Sequence, residues 1–230
     1  MQRNMNRSIP AGEAKQVLLA ILMLILLSVL IPARAEEAVS PMIVSETADS
    51  TEYPALEADI PVITSEGKSN VKIAGVKSKN KLVRYTIPET LLRADENFLA
   101  LMVEAEKYIG YPYVYGGSKP STGFDCSGFV CWVFRQSGVY DTGRLGAKGL
   151  YSLCTDVSRD EARPGDLVFF TKTMGADVKG ITHVGIYVGN NMMLHAGDPV
   201  GFADLQSDKW AKKIYAFGRL PVQQGVQPDE

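Results

Sequence analysis

Three side chains in this sequence have the types that acyl-transfer chemistry needs: Cys126, His183 and His195. Cys126 stands where a Gly-, Pro- and Ser-rich stretch gives way to an amphipathic run. Phe129, Val130, Val133 and Phe134 follow helical spacing from it, and Ser137-Gly138 closes the run. A thiol at a helix N-terminus faces unpaired backbone N–H groups and the positive end of the macrodipole. That placement favours the thiolate, which is the nucleophilic form. A single cysteine among aromatic residues also reads as a small buried hydrophobe, so position alone does not decide its role.

The chain has only two histidines, and both fall on one expected hairpin. Thr182–Val188 alternates small or polar residues with Val184, Ile186 and Val188. Gly189-Asn190-Asn191 is a turn signal, and Met192–His195 reads as the returning strand. A three-residue loop pairs Val188 with Met192 and therefore Gly185 with His195. His183 and His195 then share one face as diagonal neighbours, roughly 7–8 Å apart at the backbone. An unbulged two-residue loop would put them on opposite faces; the Gly-Asn-Asn sequence favours the shared face. His183 would then accept the thiol proton, giving a thiolate–imidazolium pair, and later protonate a leaving amine. His195 would orient that imidazole through its far nitrogen, and Gly185 would keep the surface beside them open. A Cys-His-His zinc site is the rival chemistry, but none of the short ligand spacings of structural zinc is present.

The elements that must position these residues follow in order. Phe98, Met102, Ala105 and Ile109 recur at helical spacing, and Gly110-Tyr-Pro ends that helix. The Cys126 helix comes next, then a stretch with Gly138, Gly143, Gly146 and Gly149 that reads as a loop with a short helix. Arg163-Pro-Gly-Asp166 is a turn before the strand Leu167–Phe170, and Ile214–Phe217 is a last strand. Helices first and antiparallel strands after give an α+β domain.

The chain has 230 residues, 46% hydrophobic and 22% charged, which suits one globular domain plus extensions. A formal net charge of −2 gives no nucleic-acid signature. Arg3, Arg7 and Lys15 precede an apolar run of 15 residues, Val17–Ile31, broken only by Ser28, and then Pro32-Ala33-Arg34-Ala35. This reads as a secretory signal cleaved after Ala35, with an uncleaved membrane anchor over 17–31 as the alternative. Its loss would remove four basic and one acidic side chain and leave a net charge near −5. The expected setting is extracytoplasmic and associated with the cell wall. Residues 36–66 carry eight acids and no base, an extended linker; Lys68–Arg84 carries six bases and no acid. The second segment reads either as a solvated face with a short strand at Val71–Val76 or as a patch for an anionic polymer. The expected divisions are thus 1–35, 36–87, a packed domain over 88–221, and a polar tail over 222–230. Export permits disulfides; Cys126 and Cys131 lie on one helix and cannot pair, while Cys131 and Cys154 are either bridged or both free.

Four blocks in order resemble the NlpC-type peptidoglycan endopeptidases, papain-like cysteine peptidases of bacteria. They are Gly110-Tyr-Pro-Tyr-Val-Tyr-Gly-Gly, Phe124-Asp-Cys-Ser-Gly-Phe-Val, Arg163-Pro-Gly-Asp-Leu-Val-Phe-Phe and His183-Val-Gly-Ile-Tyr-Val-Gly, the last followed by His195-Ala. The resemblance covers roughly residues 92–220. It implies a papain-like fold with the nucleophile at a helix N-terminus packed on a C-terminal antiparallel sheet. It implies Cys126 as nucleophile, His183 as base and His195 as the third polar residue, with Tyr113 lining the site near the oxyanion and Asp125 and Ser127 shaping substrate binding. The implied substrate is a wall stem peptide, cut at a γ-D-glutamyl bond to a diamino acid by a monomer that requires no metal or organic cofactor. The spacer before Phe124 and the segment 138–149 are variable regions of such a domain, and residues before 90 do not resemble a bacterial SH3 module. Two other readings stand beside this one: a non-catalytic wall-binding or scaffold module, and a wall-opening enzyme of a secretion or conjugation apparatus.

Overall fold

The computed structural model describes residues 59–66, 71–175 and 177–222. The signal or anchor segment, most of the acidic linker and all but the first residue of the polar tail lie outside the described residues.

A small hairpin comes first, β1 (Lys72–Ile73) with β2 (Val76–Lys77), shorter than the strand expected over 71–76. Lys72, Lys77, Lys79, Lys81 and Arg84 around it are all exposed. Helices α1 (Glu89–Arg93) and α2 (Glu96–Glu106) follow. Asp95 starts α2 by accepting the backbone N–H groups of Asn97 and Phe98 at 2.9 and 3.1 Å. Phe98, Leu101, Met102 and Ala105 form its buried stripe. The short ribbon β3 (Ser118–Lys119) and β4 (Gly123–Phe124) leads into α3 (Cys126–Gln136). Phe129, Val130, Val133 and Phe134 of α3 are essentially fully buried. At about 1.5–3 kcal/mol for each such side chain, this face holds the helix against the sheet. The short helix expected in the glycine-rich stretch is α4 (Ala147–Leu153).

The sheet has six strands in the order β5-β10-β6-β7-β8-β9, with every neighbouring pair antiparallel. They are β5 (Thr155–Val157), β6 (Leu167–Thr171), β7 (Ile181–Tyr187), β8 (Met192–Ala196), β9 (Val200–Asp204) and β10 (Ile214–Arg219). The period of two divides the side chains between two clusters. Leu167, Phe169, Val184, Ile186 and Leu194 join the helices in the larger one, whereas Val168, Phe170 and Met193 gather around Trp210. Asp166 locks the Arg163-Pro-Gly-Asp turn to β10: it accepts Arg219 Nε and Nη2, both at 2.8 Å, and the Arg163 N–H at 2.8 Å.

Packing also reaches upstream of Pro88. Ile63 and Ile87 are buried in the larger cluster, Thr64 bridges Thr86, and the Ile87 N–H donates to the Ile63 carbonyl at 3.2 Å. Further on, the Lys79 N–H and Asn80 Nδ2 both donate to Asp198, so residues 78–85 lie as a strap along β9.

Candidate active site

Cys126 is the first residue of α3 and is 7% exposed. Its position follows from the cap. Asp125 Oδ1 accepts the Gly128 N–H at 2.7 Å and the Ser127 hydroxyl at 3.0 Å, fixing the first turn. Asp125 Oδ2 accepts the Gly116 N–H at 3.1 Å and Arg144 Nη2 at 2.8 Å, while Arg144 Nη1 donates to Ser127 Oγ at 3.1 Å. One carboxylate thus ties together the double-glycine loop, the start of α3 and the segment before α4. A Cβ on Gly128 would stand 2.1 Å from the Gly117 carbonyl oxygen, so only glycine lets that loop lie on the helix's first turn. Tyr113 is bridged to Phe124, and the Val114 N–H donates to the Phe124 carbonyl at 2.9 Å. Burial, then the neighbouring Cys126 and Asp125, push the Tyr113 phenol well up, so it keeps its proton and stays a donor.

The hairpin has the register read from its turn. Ile186 pairs with Leu194, Tyr187 with Met193, and the Val188 N–H donates to the Met192 carbonyl at 2.9 Å. Asn190 and Asn191 take φ of 50° and 57°, the left-handed region that asparagine tolerates. The two imidazoles meet directly, with His183 Nε2 2.8 Å from His195 Nδ1. Gly185 does more than keep the surface open: a Cβ there would come within 3.1 Å of His195 Cβ and 2.8 Å of Met193 Sδ.

α3 packs on β7 and β8, the strands that carry the two histidines. Burial pushes the thiol up to about 11, with Asp125 adding in the same direction, while the N–H groups of Val184, Ser127 and Cys126 pull it down. The helix N-terminus therefore acts in the expected sense, but desolvation outweighs it. Burial, with Lys209 adding, pushes His183 down to about 3; Asp125 opposes. His195 is pushed well down by burial, His183 and Lys209. Each group is hard to ionise alone. Moving one proton from sulfur to imidazole ionises both while leaving the site's net charge unchanged.

The His183–His195 contact also constrains the tautomer. If His183 Nε2–H donates to His195 Nδ1, the His183 Nδ1 lone pair is free to take a proton. The reverse arrangement protonates His183 Nδ1 and leaves no base. The ring nitrogens face each other rather than a common metal position. Among the described residues, no group of three or more His, Cys, Asp or Glu side chains could hold a metal ion.

The 110–219 segment matches the model of the NlpC/P60 family. That segment, just under half of the chain, is an NlpC/P60 domain. It is 46% identical over 121 residues to the bifunctional muramidase/DL-endopeptidase CwlT of Bacillus subtilis, covering 52% of this chain and 36% of that protein. It is 41% identical over 120 residues to the gamma-DL-glutamyl hydrolase of the same species, covering 51% and 28%. A crystal structure from Staphylococcus aureus, described as similar to lipoprotein, NLP/P60 family, superposes with a TM-score of 0.52 at 41% identity, covering 56% of this chain and 43% of that one. The chain therefore spans between 22% and 36% of the length of the curated relatives it matches. An α+β, papain-like NlpC/P60 domain accounts for the helix-borne thiol and the antiparallel sheet that carries both histidines.

Sequence reasoning missed Arg144, Lys209 and Trp210. Arg144 sits in a stretch read as variable loop, and its one legible signal is a cation directly after Gly143. Trp210 stacks on His183, with ring centroids 5.1 Å apart and an interplanar angle of 28°, and meets His195 edge-on at 5.1 Å and 82°. All three cysteines are free, so Cys131 and Cys154 are not bridged. A cavity of about 610 Å³ lies beside the Asp166–Arg219 pair and touches none of Cys126, His183 and His195.

Proposed function

We propose that this protein is an extracytoplasmic cysteine endopeptidase that hydrolyses an amide bond in peptidoglycan stem peptides, between γ-D-glutamate and a diamino acid. The observations that support the reading are the Cys126 thiol at the first position of a helix packed on β7 and β8 and the 2.8 Å contact between the His183 and His195 rings that those two strands carry. Cys126 Sγ attacks the scissile carbonyl carbon as its proton passes to His183 Nδ1, giving a tetrahedral intermediate. The Cys126 N–H and the Tyr113 hydroxyl are the candidate donors for the developing oxyanion. The C–N bond then breaks, and the His183 proton leaves with the amine. Water, deprotonated by His183, attacks the thioester, and the released proton restores the thiol. His195 orients the base and stays neutral throughout, consistent with its burial.

The bond assignment draws support from the relatives named for DL-endopeptidase and gamma-DL-glutamyl hydrolase activity. The wall setting draws on the export signal read in residues 1–35. Asp125 and Ser127 hold the floor of the site through Arg144 and would shape binding on that side. The deciding experiment is digestion of purified muropeptides with mass spectrometry of the products. Wild type should release γ-D-glutamyl fragments and Cys126→Ala should release none; equal cleavage by the variant would end this reading.

A further inference from the structure

We propose that Trp210 is a positioning residue for the His183–His195 pair and that Lys209, whose ammonium lies over the same indole, tunes how readily that pair takes up a proton. The inference rests on the reading of His183 as the base.

The geometry is specific. Trp210 is 6% exposed and is wedged by Phe170, at a centroid distance of 4.8 Å. It presents its face to His183 and meets His195 at close to a right angle. The two imidazoles are themselves nearly perpendicular, at 78°, and share a single 2.8 Å contact. Rotation of either ring would break that contact, and the indole bounds both rings. The turn Asp204–Trp210 fixes the indole in turn: the Ser207 N–H donates to the Asp204 carbonyl at 3.2 Å and the Trp210 N–H to the Ser207 carbonyl at 3.0 Å.

The charge chemistry adds a second role. When His183 becomes an imidazolium, it is a cation against an indole face, an arrangement that favours the charged form. Lys209 Nζ stands 5.0 Å from the centroid of the same ring. It competes for the ring's negative face and repels the new charge directly, and it pushes both histidines down. Trp210 and Lys209 therefore act in opposite directions on one proton transfer. The other groups facing the pair are few. Asp125 at the helix cap favours the imidazolium, and Cys126 supplies the proton. A cavity of about 360 Å³ beside His195 carries Lys81, Asp198 and Asp204 in its lining, together with Lys209.

The test uses the full chain with two readouts across pH: kcat/KM on muropeptides, and the rate of iodoacetamide alkylation at Cys126 located by mass spectrometry. Removing the Lys209 charge lets the pair hold its protons to higher pH. Lys209→Met should therefore move the acid limb of both profiles up by about half a pH unit, and Lys209→Arg should leave it in place. Trp210→Leu should lower kcat/KM about tenfold or more, with partial recovery in Trp210→Phe. Identical acid limbs for the Met and Arg variants would overturn the role of Lys209, and a wild-type rate in Trp210→Leu would overturn that of Trp210. If Trp210→Leu does not fold, Trp210→Phe against wild type decides the positioning role, since the smaller ring should still cost activity. Alkylation needs no peptide substrate. A Lys209-dependent alkylation profile without Cys126-dependent cleavage would therefore refute the proposed peptidase while leaving the proton-uptake effect standing.

Discussion

Asp166 and Asp125 each hold an arginine by a 2.8 Å hydrogen bond, and they do opposite jobs. Asp166 is 3% exposed at its side chain and takes both bonds of a bidentate pair from Arg219, whose own side chain is one-third exposed. One partner supplies most of its satisfaction, and the effect is to clamp a turn to β10. Asp125 spreads its two oxygens over four different donors: Gly128, Ser127, Gly116 and Arg144. Its arginine is more exposed, at 42%. The first arrangement concentrates energy in one buried pair. The second distributes position among three chain segments that meet under the Cys126 thiol. The same ion-pair chemistry thus serves stability at one end of the fold and geometry at the other.

Breaking the buried clamp should give the largest effect. Asp166→Ala leaves a partly exposed Arg219 and the Arg163 N–H without their acceptor and should cost about 2–3 kcal/mol in urea unfolding, with activity per folded molecule near wild type. Asp125→Ala should show the reverse weighting. Loss of the cap should cost about 1–2 kcal/mol, while displacement of the nucleophile lowers kcat/KM about a hundredfold. Equal stability losses for the two variants would erase the distinction. Arg144→Gln keeps the carboxylate on its three other donors and should lower kcat/KM only about fivefold, with an unfolding midpoint close to wild type.

A pH dependence of stability tests the burial that the site imposes on its base. Above about pH 6.5, His183 is neutral in both the folded and unfolded states. As the pH falls toward about 3, the unfolded chain binds a proton that the buried imidazole refuses, so stability declines across that window. His183→Gln should flatten the decline between pH 7 and pH 4 in urea titrations. An unchanged slope would mean that His183 takes up its proton as readily in the fold as in the open chain.

The parts of the site set by local chemistry are legible in the amino-acid sequence. The Gly189-Asn190-Asn191 turn imposes a register, and that register alone brings His183 and His195 to one face. The helix start at Cys126 and the turn at Arg163–Asp166 are legible for the same reason. What stays hidden depends on contacts distant in the chain. β9 (Val200–Asp204) contains a glycine and follows Asp198-Pro199, so its own composition does not mark it as a strand; pairing with β8 makes it one. Arg144 and Trp210 reach the site from loops whose sequence carries no periodicity. The thiol's proton affinity is hidden too, because a sequence displays the helix dipole but not the depth of burial that opposes it.

The strap over residues 78–85 has a practical meaning for anyone trimming this protein. Lys79 and Asn80 hold Asp198, the neighbour of Gly197, where a Cβ would stand 2.8 Å from the His195 ring. Leu82 covers Gly201 so closely that a Cβ there would stand 2.9 Å from its side chain. A fragment begun at Pro88 would keep every catalytic candidate yet lose the brace behind the second histidine and the Ile63 plug in the core. A fragment meant to keep the strap and the Ile63 contact therefore has to begin no later than Ile60, which also packs on the core.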